Sequence, residues 1–437
     1  MPSSIRTRIV LAAPLALTAL ALCAGAVRAT TGAAGWSRVS GPTQPGLQLG
    51  LARSADGVLH VIWNRGATPT SIIETRLSPA GRTVGTSTVA TGFDGNGGLG
   101  LLVMPDRTLR LFAAGGTHPG SSAYGINTFT APASGGTWSL QSGAYWGGAL
   151  ANSAALIGAA LTGDGQPVTA WRGFAAEGVP GRVPQGYEAD MTESQLATDA
   201  ASGGVVLSGV TNAGKGGLYV QQVLPSQGAK VVLPLPYGQN DWYTSLSGRS
   251  AGPGVYVAYA DSKAVRLYRY GGGTKTLARG DFTSAAACAG PDGRLWVGWG
   301  DKAGRLYVTR SNRAAAGHEP VQKLRLPVGN GGLTFLQCEG SAGPLDLFAN
   351  VAGGAGGFWH THVLARLSLH AQAAKSNVTI SVRDAGDPVA GATVTVAGKR
   401  LRTGAAGQVS LTLRPGSYSA AAAEAGYAVA SIRFTVR

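Results

Sequence analysis

Charged residues make up only 13% of the 437-residue chain, and cysteine and methionine occur three times each. Low charge together with 44% hydrophobic residues excludes a solvated, disordered chain. Glycine is abundant, at 68 residues, but it follows no Gly-X-Y period, which excludes collagen. No phosphate-binding loop, nucleophile elbow or zinc motif is present, so we expect no cofactor and no metal. Because no segment beyond the N-terminal region sustains a helical apolar period, we predict an all-β chain rich in tight turns.

Residues 1–29 have the features of a secretory signal peptide. Arg6 and Arg8 precede the apolar run 9–26, and Ala29 follows small residues of the kind a signal peptidase reads. Cleavage after Ala29 is the first prediction, and lipidation of Cys23 is the alternative, which ranks second because Leu22 is bulky. No later stretch of about 18 apolar residues occurs. The sequence thus predicts an exported chain without a membrane span, secreted or attached to the cell envelope.

Basic residues exceed acidic ones in the chain that remains after residue 29. Its net charge is +12, and the excess is concentrated in 261–326 and from 373 onward. Such surfaces would attract anionic envelope polymers or lipid headgroups through long-range electrostatics. A surface that merely keeps the protein soluble is the plainer interpretation, and we favour it. Nothing indicates a nucleic-acid partner.

One pattern recurs along the chain: an apolar strand, a tight turn, and then G-x-L-x-V-x-W or a close variant. The copies begin at Asp56, Asp106, Asp164, Gly204, Gly254, Asp292 and Gly343. Their spacing, between about 39 and 58 residues, is typical of one four-stranded propeller blade. Trp63, Trp171 and Trp299 end their copies in register, which predicts packing between blades.

Each copy is interpreted as four strands, A to D, with A innermost. The predicted A strands are rich in small residues, as crowding around an axis requires, and span 50–53, 99–104, 155–161, 195–199, 245–249, 283–288 and 333–338. The last copy ends near His370 without a clear fourth strand, and residues 36–39 are predicted to supply it and close the ring. Seven blades is the first prediction. Six is the alternative, if the weak copy at Gly204 belongs to a neighbour.

The repeated strands resemble those of sialidase-like, BNR-repeat propellers. The resemblance also rests on Ser134-Gly135-Gly136-Thr137-Trp138-Ser139, which looks like the tail of an Asp-box. Ala131 and Ala133 stand where that box has Ser and Asp, and no Arg-Ile-Pro motif is present. The resemblance covers residues 35–370, and it implies the fold more than an activity.

Residues 377–437 are similar to a carboxypeptidase-regulatory-like (transthyretin-like) domain. The similarity rests on the Asp384–Val394 stretch, on Leu411 to Tyr418 with its Pro415-Gly416 turn, and on Gly426-Tyr427. It implies a small seven-stranded β-sandwich that acts as a spacer or adhesion module. The predicted domains are therefore a signal peptide (1–29), a propeller (30–371), a linker (372–376) and this sandwich.

Cys288 and Cys338 are the only cysteines after residue 29, and each lies five residues before the glycine that opens its B strand. Equivalent positions on neighbouring inner strands make a disulfide one prediction, and two free buried thiols the other. His360 and His362 share one strand face. A structural role for them is favoured over a metal site because no third ligand is evident.

The loops that would join strand D of one blade to strand A of the next carry aromatic, acidic and amide side chains. Together they would face the channel mouth, where aromatic rings suit the C–H faces of sugars and polar groups suit the hydroxyls. The candidate binding residues are Tyr145, Trp146, Tyr187, Glu188, Asp190, Asn240, Asp241 and Trp242. For any one of them, a role in wedging blades apart or capping a turn is the alternative.

These observations favour a monomeric binding or scaffold protein that acts at the cell envelope or outside it, with carbohydrate or an envelope polymer as ligand. A sialidase-like glycoside hydrolase is the first alternative, with Tyr187, Glu188, Arg65, Arg172 and Arg249 as the residues such chemistry would use. A protein-docking platform is the second alternative. Without a catalytic motif, an enzyme is not the favoured prediction.

Overall fold

The computed structural model describes residues 35–41, 48–66, 70–93, 97–115, 125–141, 156–171, 174–177, 185–186, 191–211, 217–235, 244–261, 263–326, 332–352 and 356–437. Strands and turns make up this part of the chain, apart from one short 3-10 turn at Pro291–Gly293. None of its segments forms a helix that is long and apolar enough to cross a membrane. The predicted signal peptide lies outside the described residues.

Seven four-stranded antiparallel sheets follow one another along the described residues. Sheets one to three are β2 (Gly50–Arg53), β3 (Leu59–Arg65), β4 (Thr70–Leu77) and β5 (Thr83–Phe93); β6 (Leu99–Val103), β7 (Leu109–Gly115), β8 (Gly125–Ala131) and β9 (Ser139–Leu140); and β10 (Gly158–Leu161), β11 (Pro167–Trp171), β12 (Phe174–Glu177) and β13 (Gln185–Gly186). Sheets four to six are β14 (Met191–Thr198), β15 (Val205–Thr211), β16 (Gly217–Leu224) and β17 (Val231–Leu233); β18 (Thr244–Gly248), β19 (Val255–Asp261), β20 (Ala264–Arg269) and β21 (Thr274–Arg279); and β22 (Phe282–Ala289), β23 (Leu295–Asp301), β24 (Arg305–Arg310) and β25 (Gln322–Arg325). Sheet seven is β26 (Leu333–Glu339), β27 (Leu345–Val351), β28 (Gly357–Val363) and β1 (Trp36–Arg38).

The first strands of the seven sheets form a closed ring. Each of β2, β6, β10, β14, β18, β22 and β26 contacts the next, and β26 returns to β2. A closed ring of four-stranded antiparallel sheets, each with its first strand innermost, is the arrangement of a β-propeller. The prediction of an all-β propeller is confirmed.

The N-terminal strand completes the last sheet, as predicted. β1 pairs antiparallel with β28, with Trp36 opposite Thr361 and Arg38 opposite Trp359. Residues near both ends of the propeller therefore share one sheet. The weak copy near Gly204 supplies β15 of a separate sheet, so it is not absorbed into a neighbour.

The repeated tryptophans serve packing between sheets where their side chains are described. Trp63 is buried in one cluster with Phe335 and Phe348 of sheet seven. Trp299 is buried in one cluster with Ala258 and Val265 of sheet five, and its ring also stacks on Tyr307 of its own sheet with 5.8 Å between centroids. The side chain of Trp171 lies outside the described residues.

The C-terminal region folds as two further four-stranded sheets around one apolar core. The first contains β30 (Ser368–Ala374), β31 (Asn377–Asp384), β32 (Asp387–Pro388) and β35 (Gln408–Thr412). The second has the order β34 (Lys399–Arg402), β33 (Thr393–Val396), β36 (Gly416–Ala423) and β38 (Ala430–Val436). Val378, Ile380, Val394 and Ala420 are fully buried between them. We call residues 365–437 the C-terminal module.

The boundary of this module differs from the predicted one. Residues 372–374 belong to β30 and pair with β31, so they do not form part of a linker at 372–376. Even β29 (Ala365–Arg366) already pairs with β37 (Tyr427–Ala428) of the module. Most side chains of β30 are solvent-exposed, so the strand lacks the apolar alternation by which a strand is recognised in the sequence.

A buried ionic network joins the propeller to the module. The Asp384 carboxylate accepts hydrogen bonds from Arg310 Nη2 at 2.6 Å and from Tyr427 at 2.8 Å, and Arg294 Nε lies 2.9 Å away. Asp387 accepts a further bond from Arg294 Nη2 at 2.8 Å. Since all of Arg294, Arg310 and Asp384 are buried, separating the two parts would expose unpaired charges.

Candidate functional site: the channel and its rim

Two sets of loops lie at one end of the ring, because the strands of each sheet alternate in direction. One set joins the last strand of a sheet to the first strand of the next, and the other joins the second strand to the third. We call this end of the propeller the rim. The eight candidate binding residues, Tyr145, Trp146, Tyr187, Glu188, Asp190, Asn240, Asp241 and Trp242, lie outside the described residues. In the sequence they fall between the last described strand of one sheet and the first strand of the next.

The channel below the rim contains a cavity of about 220 Å³. All seven inner strands or the residues just before them line it, and the side chains are small, aliphatic or amide. The described lining has no ionised side chain. It therefore offers hydrogen-bonding groups but no general acid or base.

Three glutamines tie neighbouring inner strands together around this channel. Gln337 accepts from the backbone N–H of Leu49 at 2.7 Å and donates to its carbonyl at 3.1 Å. Gln195 makes the equivalent pair with Leu246 N–H and the Thr244 carbonyl, at 2.8 and 3.2 Å. Each amide thus satisfies backbone groups at the exposed edge of an inner strand.

Gln48 links β2 to β6 and to the residue before β10. Its carbonyl oxygen accepts from the N–H groups of Leu99, at 3.1 Å, and Ile157, at 2.8 Å, and its amide donates to the Ile157 carbonyl at 3.0 Å. One side chain therefore connects the first three inner strands. Thr198 donates to the Leu161 carbonyl across the next junction, and Ser245 donates to the Ala287 carbonyl at 3.1 Å.

A disulfide between Cys288 and Cys338 covers the remaining junction, between β22 and β26. The two Cα atoms are 5.8 Å apart, within the range that a disulfide requires. Of the two states that the sequence left open, the structure has the bonded one. With the glutamines and hydroxyls, it completes a set of links around the whole ring, which fixes the frame that carries the rim loops.

Two rim carboxylates in the described residues serve as turn caps. Asp301 accepts from the N–H groups of Ala303 and Arg305, both at 3.0 Å, and from Arg305 Nε at 2.7 Å. Asp261 occupies the equivalent position in sheet five and pairs with Arg266 at 2.8 Å. Burial raises the pKa of each carboxyl, but these hydrogen bonds outweigh it and lower both pKa values. Neither group is available to a ligand as a free carboxylate.

Of the three arginines named for a sialidase-like site, the two that the structure describes, Arg65 and Arg249, do not come together. Arg65 ends β3 at the rim and is exposed, whereas Arg249 follows β18 at the opposite end of the ring. Arg249 also donates to the carbonyls of Gly293, at 2.6 Å, Pro253, at 2.9 Å, and Arg313. Since it is held by these contacts, Arg249 cannot join Arg65 on one substrate carboxylate. Arg172 lies outside the described residues.

His360 and His362 converge on a third residue, Asp346. Nε2 of His360 and Nδ1 of His362 lie 2.7 and 2.9 Å from the same carboxylate oxygen, Oδ1. Burial raises the pKa of Asp346, but the two histidines outweigh it and hold that pKa well below its usual range. Arg53 of sheet one binds the other oxygen, and it also binds Glu339 at 2.5 Å. This cluster joins sheet seven to sheet one, and the described residues contain no metal-binding group of three or more such ligands.

A second buried pair explains the motif that resembles an Asp-box. Glu74 lies 2.7 Å from His60 Nδ1 and accepts from Gly136 N–H, at 2.8 Å, and from Trp138 Nε1, at 3.1 Å. Burial raises the pKa of Glu74, but these bonds and one from Ser87 lower it to about 2. The Ser134–Ser139 turn of sheet two thus docks onto sheet one.

Sequence reasoning missed Asp346, Glu74 and the three channel glutamines. Gln48 lies just before β2 and Gln195 lies within β14, and each is followed by a leucine, so this repeated Gln-Leu pair was an available signal. Asp346 gave no such signal, because its partner Arg53 is 293 residues away in the sequence.

No protein-family model matches the sequence, and no curated protein matches it. Among solved structures, the BP39L lectin from Burkholderia pseudomallei is similar with a TM-score of 0.50 and 15% identity, over 72% of this chain and 96% of that one. An Aleuria aurantia lectin mutant in complex with Fucα1-6GlcNAc aligns with a TM-score of 0.41 and 12% identity, over 84% and 98% of the two chains. AofleA from Arthrobotrys oligospora aligns with a TM-score of 0.39 and 13% identity, over 67% and 90%. The first similarity supports the propeller fold.

Proposed function

We propose that this chain is an exported carbohydrate-binding protein, acting at the cell envelope or outside it, with the ligand site on the propeller rim. The observation that carries the proposal is a fold similar to that of the BP39L lectin, combined with rim loops that carry Tyr145, Trp146 and Trp242. Aromatic rings beside amides and carboxylates match the C–H faces and hydroxyls of sugars.

The described frame supports binding over hydrolysis. Hydrolysis of a glycosidic bond commonly requires two carboxyl groups on either side of the bond. The channel lining is neutral, and the rim carboxylates Asp261 and Asp301 are committed to turns. The separation of Arg65 from Arg249 removes the arginine cluster that a sialidase-like reaction would use.

A glycan array probed with the mature chain, residues 30–437, tests the proposal. We expect binding to a limited set of sugars, lost in Trp146→Ala and Trp242→Ala. Tyr270→Ala is the matched control, because it removes an aromatic ring from a turn at the opposite end of the ring, where its hydroxyl donates to Ala229. Absence of any sugar binding, or equal loss in all three variants, would contradict the proposal.

The same protein separates the two alternatives. Release of the fluorophore from a fluorogenic sialoside, abolished by Glu188→Gln, would favour a glycoside hydrolase. Specific capture of an envelope protein without sugar binding would favour a docking platform.

A further inference from the structure

Most acidic residues of the C-terminal module lie at its contact with the propeller. From residue 377 onward the acidic residues are Asp384, Asp387 and Glu424, against seven lysines and arginines. Asp384 and Asp387 both face the propeller, where Arg294 and Arg310 bind them. Two of the three carboxylates of the module are therefore paired with propeller arginines. They are not available to pair with the basic residues on the outer surface of the module.

Three of those arginines lie on one face of the second sheet. Arg402 pairs across the strands with Thr393, which pairs with Ala423. Arg400 lies in the next row, opposite Thr395, and Arg433 lies opposite Ser419 on the far edge strand. All three are exposed, whereas the alternate residues Val394, Val396 and Ala420 are buried in the core. We call this outward surface of β34, β33, β36 and β38 the arginine face.

On the arginine face, the two edge strands carry the arginines, and most of the small side chains that we call the floor lie on the strands between them. Thr393, Thr395, Ala421, Ser419 and Ser431 form the floor, and the two edge strands are three strand spacings apart, or about 14 Å.

None of the three guanidinium groups has an ion-pair partner among the described residues. Glu424, the remaining carboxylate, lies one residue beyond the floor, after the end of β36. The opposite outer face of the module is different in kind, since its polar side chains bond to one another: Thr379 with Ser410, at 3.1 Å, and Thr412 with Asn377, at 3.1 Å. Arg383 lies on that opposite face and donates to the Gly386 carbonyl at 3.1 Å, whereas Arg400, Arg402 and Arg433 lie together on the arginine face.

We propose that the arginine face binds an anionic polysaccharide, at a site separate from the rim. Arg400 and Arg402 on one edge and Arg433 on the other would bind successive carboxylate groups, because guanidinium groups pair with carboxylates through two parallel hydrogen bonds. The hydroxyls of the floor would meet the sugar hydroxyls. A membrane surface fits less well because Val429, just before β38, is a single exposed apolar side chain beside the floor, and single-stranded nucleic acid lacks an aromatic platform on the floor.

Binding of the mature chain to polygalacturonate, with neutral dextran as the comparison polymer, tests this site. The triple variant Arg400→Gln, Arg402→Gln, Arg433→Gln should bind at least ~10-fold more weakly, since it removes three charge-assisted contacts. The matched control is Arg107→Gln, Arg279→Gln, Arg325→Gln, which removes the same charge from exposed sites on the propeller. It should change the affinity less than ~2-fold, because separated surface charges are screened by salt.

Equal losses in the two triple variants, or no binding to polygalacturonate, would overturn the proposal. Binding to anionic lipid vesicles in place of the polymer would overturn it as well. Thermal unfolding of both triple variants establishes that they are folded. Because Trp146→Ala and Trp242→Ala should leave polygalacturonate binding unchanged, failure of the rim proposal can be distinguished from failure of this one.

Discussion

The guanidinium of Arg53, at the end of the first inner strand, donates to the buried carboxylate of Asp346 in the last sheet. Arg53 also binds Glu339, so one cation holds two carboxylates where the ring closes. The same carboxylate orients His360 and His362 through its other oxygen. Two features therefore close the propeller ring: β1 completes sheet seven, and the buried Arg53 cluster joins sheet seven to sheet one.

Replacing Arg53 by Met should lower the free energy of unfolding by about 3–5 kcal/mol, because it removes the cation shared by two carboxylates, Asp346 and Glu339, that have little solvent exposure. Urea unfolding followed by tryptophan fluorescence measures the change. Arg82→Met is the control, since Arg82 is exposed on a turn of the same sheet. Equal stability of the two variants would show that the Arg53 cluster contributes nothing to closure.

Removing the disulfide should destabilise the propeller without abolishing rim binding. The bridge spans 50 residues, for which loop-closure entropy gives about 4 kcal/mol as an upper figure. Reductant should lower the melting temperature of the wild type, and the double variant Cys288→Ser, Cys338→Ser should melt lower and ignore reductant. A reductant effect that persists in the double variant would contradict this assignment.

Gly135→Ala should destabilise the contact between sheets one and two. Gly135 has a φ of +65°, and a Cβ there would collide with the Glu74 carboxylate. Gly92→Ala isolates the backbone cost, because Gly92 has a φ of +64° and open space around it. We expect a loss of about 1 kcal/mol for Gly92→Ala and a clearly larger one for Gly135→Ala, measured by chemical unfolding. Equal losses would mean that the contact between the Ser134–Ser139 turn and Glu74 contributes nothing to the free energy of unfolding.

Glu319 should contribute a loss of stability as pH rises from about 4.5 to 7. Burial raises the pKa of this carboxyl to about 7, against the hydrogen bond from Arg366 N–H and the charge of Arg310. In that window the folded state holds a proton on Glu319 that the unfolded state has released, so this group alone makes unfolding easier with rising pH, by up to about 3 kcal/mol. His318 acts in the opposite direction, because burial lowers its pKa to about 4 and the unfolded state then binds the extra proton up to about pH 6.5.

Glu319→Gln should remove this contribution, so its free energy of unfolding should rise more, or fall less, between pH 4.5 and 7 than that of the wild type, whereas Glu424→Gln should follow the wild-type profile. Unfolding curves for the wild type and both variants at a series of pH values check this prediction. Parallel pH profiles for the wild type and Glu319→Gln would contradict it.

The local features of the fold were predictable because their signals are local. The Asp-Gly pairs mark turns between first and second strands, and Asp292 and Gly293 indeed have φ values of +55° and +76°. Alternation of apolar residues located the second strand of each sheet. The equivalence of Cys288 and Cys338 followed from their distance to Gly293 and Gly343.

The long-range polar contacts were not predictable from such signals. Gln48 bonds to Ile157, 109 residues away, and Arg53 bonds to Asp346, 293 residues away. Neither pairing produces a repeated pattern in the sequence. The module boundary was misplaced for a related reason, because β30 exposes most of its side chains and so lacks an apolar alternation. The candidate rim residues stay predictions.

Hydrogen–deuterium exchange with and without a sugar from the glycan array tests the central claim most directly. We predict that the sugar slows exchange in peptides covering 142–155 and 236–243 at the rim, and leaves peptides covering 249–254 and 289–294, at the other end of the ring, unchanged. Slowed exchange only at that other end or only in the C-terminal module would contradict a carbohydrate site on the rim.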